Sequence, residues 1–326
     1  MDNKERVTIC LSVRNNIDYA REWMMQMALF NPTDMKLRHY KKGKFVSYKE
    51  KKFVEEISKE IDETNYSFML MDDNNVIDTF MNGNSTEVAI FSAILDYDLF
   101  VRNEKKIYTF INNIMTQIGI VGRIASLKDK FWQNNIDVEE YKRCKKSLLG
   151  VPLKPHPIFK GKKAVAVEKF PGYVVFIGNI TFGADWKMWF HDSYYQYVSE
   201  DAIVKFQDCY SNEKISDTCR CITLYENLLD YDKCKNRRRQ WKFKKETKFK
   251  ETVKELKEKG TFTNNDPNIE ILNGDFEHGG VKMLRIYFDE KGNEIRKSKA
   301  TRVKIAEYNQ AGKIVWETEE EIKGDE

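Results

Sequence analysis

Residues 164–209 read AVAVEKFPGYVVFIGNITFGADWKMWFHDSYYQYVSEDAIVKFQDC and carry the densest run of aromatics in the chain. Turn signals at Pro171-Gly172 and Gly183-Ala184 divide the stretch into strand-like pieces at 164–170, 173–181 and 186–190, with two more at 194–198 and 202–206. Trp186, Met188 and Phe190 would share one face of a strand and Trp189 the other. If one face packs a core and the other is open, Trp186 and Trp189 are of the residue types that anchor macromolecular contacts.

Working back toward the N-terminus, the strongest break is Gly150-Val151-Pro152 followed by Pro155-His156-Pro157, because residues before proline are pushed out of helical geometry. The expected division is an α+β part at 1–82, a helical block at 83–150, and a mainly β part at 151–326. In the first part, 6–14 alternates with Val7, Ile9, Leu11 and Val13 on one face. A helical pattern at 17–30, short strands at 35–40 and 45–48, an amphipathic helix at 49–62 and a strand at 66–71 follow. That order matches a ferredoxin-like βαββαβ unit. A capping pattern at Asn84 and Glu87 and an apolar run at 86–99 predict a buried helix there. Helices are also expected at 105–118, 121–132 and 138–149.

Toward the C-terminus the chain turns basic. Residues 233–259 hold thirteen Lys and Arg against four Glu, an excess of nine, while the whole chain carries only +4. A basic helix is expected here, ended at Gly260. Alternating segments at 281–289, 301–308 and 313–318, with turns at 291–293 and 310–312, predict an antiparallel meander over 281–319. The overall class is therefore α+β.

The basic run interleaves cations and rings: Arg237, Arg238, Arg239, Trp241, Lys244 and Lys245. Guanidinium forks suit phosphates and carboxylates, and an exposed indole can stack on a base. The same run can meet an acidic protein surface. A solvated helix face with Trp241 turned inward is the alternative reading.

Catalytic signatures are sparse. Gly83-Asn84-Ser85 followed by Asp96-Tyr97-Asp98 resembles the nucleotidyltransferase pattern, which implies Mg²⁺ held by Asp96 and Asp98. It departs from that pattern in its Gly/Ser spacing and in the apolar segment 88–95. The plain alternative is a buried helix ending in two solvated aspartates. Cys209, Cys219, Cys221 and Cys234 could supply four thiolates to Zn²⁺. They lack a Cys-x-x-Cys knuckle, so buried reduced thiols are expected instead. His191-Asp192 offers a base with an orienting carboxylate, or only a turn. The sequence contains neither a Walker A loop nor Gly-x-Gly-x-x-Gly.

With no apolar leader and no span of membrane length, a cytoplasmic protein with reduced cysteines is expected. These features point to a non-enzymatic macromolecule-binding protein. The Lys-, Asn- and Ile-rich style suits an inhibitor or accessory factor of phage or mobile-element type. The expected partner is another protein with an acidic surface. Nucleic acid bound by 233–259 is the alternative partner, and self-association stays open.

Overall fold

The computed structural model describes residues 4–63, 65–81, 88–156, 159, 161–259, 269–273, 282–292, 295, 300–308 and 314–322. Its first elements are β1 Arg6–Arg14, α1 Ile17–Met27, β2 Asp34–Leu37, β3 Val46–Ser47, α2 Glu50–Lys59, β4 Ser67–Met71 and β5 Val76–Phe80. Then come β6 Val88–Asp96, α3 Tyr97–Gln117, β7 Gly119–Ser126, α4 Leu127–Asn134, α5 Val138–Arg143, β8 Leu153–Pro155 and β9 Lys163–Val165. The middle continues with β10 Val175–Ile177, β11 Ile180–Phe182, β12 Lys187–His191, α6 Glu200–Val204, β13 Ser211–Lys214 and β14 Cys219–Thr223. Last are α7 Cys234–Glu246, α8 Phe249–Lys259, β15 Ile269–Asn273, β16 Lys282–Phe288, β17 Arg302–Tyr308 and β18 Ile314–Glu321.

The chain forms two units. The larger comprises 2–129 and 174–263, and the smaller comprises 130–173 and 264–326. Residues 151–156 of the Pro-rich stretch lie within the smaller unit. Proline there shapes a connection around the short β8–β9 pair.

The larger unit is built on a ten-stranded sheet in the order β13-β14-β12-β7-β1-β6-β5-β4-β2-β3. All its described pairings are antiparallel. The strand order corrects the ferredoxin-like expectation. The sheet of a split βαβ unit is itself antiparallel, and its first strand pairs with other strands of the same unit. Here β1 sits between β6 and β7, far along the sheet from β2 and β4.

The helical block expected at 83–150 holds α3, α4 and α5, but two of its segments are strands. Residues Val88–Asp96 form a central strand with eight consecutive buried residues, and Gly119–Ser126 is buried throughout. A strand apolar on both faces shows no period-two alternation, so its sequence looks like a buried helix. The capping pattern at Asn84 and Glu87 lies outside the described residues. The strand-like pieces at 194–198 and 202–206 are instead a 3-10 turn, Asp192–Gln196, and helix α6.

Neighbouring residues of β12 show how the sheet is covered. Trp189 meets Tyr108 of α3 at 6.1 Å between ring centroids, while Phe190 meets Phe243 of α7 at 5.8 Å. Successive strand residues point to opposite faces, so α3 and α7 lie on opposite sides of the sheet. Gly122 of β7 lets α3 approach closely: a Cβ there would lie 2.8 Å from Leu11 Cδ2 and 3.1 Å from Met115 Sδ. On the α3 side, Trp23 of α1 packs on Phe91 and stacks on Phe110.

The smaller unit has a core of Phe131, Trp132, Tyr141, Val165 and Val167. Trp132 meets Phe131 and Tyr141 edge-on, and the Tyr141 hydroxyl donates to the Trp132 carbonyl at 3.2 Å. Its four-stranded antiparallel sheet runs β15-β16-β17-β18 and includes the meander read from the sequence. Among the described residues, no helix is long and apolar enough to cross a membrane.

Candidate macromolecule-binding site

Helix α7 is rich in Lys and Arg, both good helix formers, and has no Gly or Pro. The basic helix does not run unbroken to Lys259. Lys248, at φ +50°, separates α7 from α8. Asn236, Gln240, Phe243 and Lys244 are buried and share one face at helical spacing. Asn236 donates to the Asp230 carbonyl at 2.8 Å, and Gln240 to the Ala184 carbonyl at 3.1 Å. Phe243 stacks on Phe190 and meets Phe206 edge-on.

The opposite face is a ridge of cations. Lys235, Arg238, Lys242 and Lys245 are exposed at spacings of three, four and three. Lys235, Arg238 and Lys245 form no ion pair among the described residues, and Lys242 reaches Asp208 and Glu246 only at 3.5 and 3.9 Å. Trp241 is half-buried beside this ridge, with the ammoniums of Lys244 and Lys250 at 5.1 and 6.0 Å from its ring.

The structure thus sorts the residues that the sequence grouped. Arg238, Lys245 and the edge of Trp241 belong to the open face. Arg237 does not: its guanidinium forks onto Asp129 at 2.5 and 3.0 Å, and that carboxylate is buried. Arg239 donates to the Leu224 carbonyl at 3.0 Å and approaches Asp208 at 3.4 Å. Trp186 is 6% exposed and Trp189 0%, so neither indole is a surface anchor. Their N–H groups are used internally, on the Tyr225 carbonyl and on Asn112 Oδ1, both at 2.7 Å. Lys235 and Lys242, also in the basic run read from the sequence, complete the ridge; their helical spacing sets them apart from the inward cations.

Lys244 is buried next to a second charged group. Arg123, also buried, donates to Thr181 Oγ1 at 2.8 Å and to the Thr181 carbonyl at 3.0 Å, and lies 3.5 Å from Asp185. Burial pushes the Lys244 ammonium down to about 7, with Asp185 opposing and Lys250 and Arg123 assisting. An unfolded Lys keeps its proton to about 10.4. Between these values the unfolded chain binds more protons than the native one, so stability rises with pH across that window. The rise from this group is roughly 4 kcal/mol. Lys244→Met should flatten the pH dependence of urea unfolding from neutral to pH ~10 and raise the melting temperature at neutral pH. An unchanged slope in the variant would remove Lys244 from the account.

The other candidate groups do not converge. Asp96 ends β6 and precedes α3, while Asp98 is exposed in the first turn of that helix. The element between the proposed phosphate loop and these aspartates is a strand rather than a helix, and Gly83 and Ser85 lie outside the described residues. Cys219 and Cys221 lie on one face of β14, where burial pushes both thiols up to about 12 and disfavours the thiolates that Zn²⁺ needs. Cys234 is exposed on α7. Among the described residues, no three His, Cys, Asp or Glu side chains are grouped to hold a metal. His191 is buried and caps the 3-10 turn after β12, accepting from Ser193 N at 3.2 Å. Burial lowers its pKa, against the pull of Asp192.

No protein-family model matches the chain, and no curated protein does. Among solved structures, the Pseudomonas aeruginosa T6SS protein PA0821 matches with a TM-score of 0.46 and 9% identity, over 75% of this chain and 72% of that one. A likeness at that level carries no argument about function.

Proposed function

We propose that the chain is a non-enzymatic binding protein that docks an acidic surface of another protein on the ridge Lys235, Arg238, Lys242 and Lys245. It would act by occupying that surface, as an inhibitor or accessory factor of the phage or mobile-element kind. One observation supports this most. The cations of α7 divide into an inward set, Arg237 and Arg239 held by hydrogen bonds and Lys244 buried, and a solvent-facing set with few internal partners. Unpaired like charges in a row repel one another, and a partner's carboxylates relieve that repulsion while steering encounter.

The test is affinity capture from a native lysate, with and without nuclease. The variant Arg238→Glu/Lys242→Glu/Lys245→Glu is expected to lose the captured protein while its melting transition stays close to wild type, because exposed substitutions move stability by about 0.5 kcal/mol or less each. Capture that survives the triple reversal would sink the reading. Half-buried Trp241 beside the ridge favours nucleic acid as the second reading. In that case nuclease abolishes capture, and affinity falls steeply with salt.

A further inference from the structure

The side of the sheet away from α7 carries a second cationic feature. Between α1 and α3 runs an open groove of about 700 Å³, lined among others by Gln26, Arg102, Lys105, Lys106, Phe110 and Asn113. Arg102, Lys105 and Lys106 are exposed, and among the described residues none of them forms an ion pair. This is not for want of carboxylates on the helix. Glu104 accepts the Tyr108 hydroxyl at 2.7 Å, and Arg102 donates Nε to the Asp98 carbonyl at 3.2 Å rather than to its carboxylate. Helix α2 shows the contrast, with Lys52 and Lys59 both closed onto Glu55 and Glu56. Among the described residues, no carboxylate lines the groove.

We infer that this groove binds single-stranded nucleic acid. Three unpaired cations within two turns of one helix provide a track for a phosphate backbone. Gln26 and Asn113 each offer both a donor and an acceptor, as base edges do. Phe110 adds a half-buried ring, held in place by its stack on Trp23 at 6.1 Å. The site is separate from the α7 ridge, since α3 and α7 cover opposite faces of the sheet.

The probe is a short fluorescent oligothymidylate, read by anisotropy against the full chain at several salt concentrations. Neutralising three phosphates of a single strand gives a slope of log affinity against log salt of roughly −2. Arg102→Glu/Lys105→Glu/Lys106→Glu should weaken binding by roughly tenfold or more, with an unchanged melting transition. The groove variant should lose more of the binding than the α7 reversal Arg238→Glu/Lys242→Glu/Lys245→Glu, which removes the same charge on the other face of the sheet. Absence of binding at low salt overturns the inference. So does loss of binding in the α7 variant with retention in the groove variant. Competition by polyglutamate as strong as by unlabelled oligothymidylate would make the groove a seat for acidic peptide and also overturn it. None of these outcomes bears on nuclease-resistant capture by the α7 ridge, so the two readings fail separately.

Discussion

Replacing Trp189 with alanine lowers the free energy of unfolding by about 4 kcal/mol. The indole is fully buried on β12, tilted against Tyr108, with its N–H on Asn112 Oδ1 at 2.7 Å. Three losses add: apolar burial, a cavity between the sheet and α3, and an amide oxygen left without its donor. A Cβ at Gly122 would lie 3.5 Å from Trp189 Cβ, and glycine has no side chain to refill the space. Urea unfolding followed by circular dichroism reads the change as a lower midpoint. A loss under about 1 kcal/mol would contradict the burial described. Partner capture by the folded variant should match wild type, because the ring belongs to the core and not to a contact surface.

Arg237→Ala and Arg238→Ala, neighbours in sequence, should behave oppositely. Arg237 forks onto buried Asp129, so its removal strands a carboxylate and costs about 3 kcal/mol. Arg238 is exposed and unpaired among the described residues, so its removal leaves the melting curve alone and weakens capture. Thermal unfolding of the two single variants settles the matter. Equal melting temperatures would mean that the Asp129 pair does not anchor α7. Asp129→Leu/Arg237→Met should recover part of the loss, since an apolar pair leaves no charge uncompensated. A triple alanine variant at 237–239 would therefore mix a folding defect with a binding defect.

The elements that read correctly from sequence carry a period of their own. In β1, Val7, Ile9, Leu11 and Val13 alternate with Thr8, Cys10 and Ser12, although both faces are covered. Of the stripe Phe53, Val54, Ile57 and Ile61, Phe53 and Ile57 are buried on α2, while Val54 is exposed and Ile61 lies exposed beyond the helix end. The C-terminal segments alternate between turns as the meander requires. Elements apolar on both faces did not read correctly. VAIFSAILD and GIVGRIAS were taken for helix, because a strand apolar on both faces has no polar side to set its period. Their error hid the ten-stranded sheet, and with it the pairing of β1 between β6 and β7. In the candidate site, the excess of cations at 233–259 was legible, but their division was not. Arg237 and Arg238 have the same chemistry and differ only in what faces them.

By itself, the sequence determined the α+β class, the basic character of 233–259, the C-terminal hairpins and the scarcity of catalytic motifs. These follow from composition and short-range periodicity, which act within a few residues. Tertiary structure alone decided that the aromatic strand is core, that Arg237 is anchored and Lys244 buried, and that cations separated along the chain line opposite faces of one sheet. Burial and charge pairing depend on residues more than a hundred positions away, as Asp129 is from Arg237, and no local pattern encodes such a neighbour.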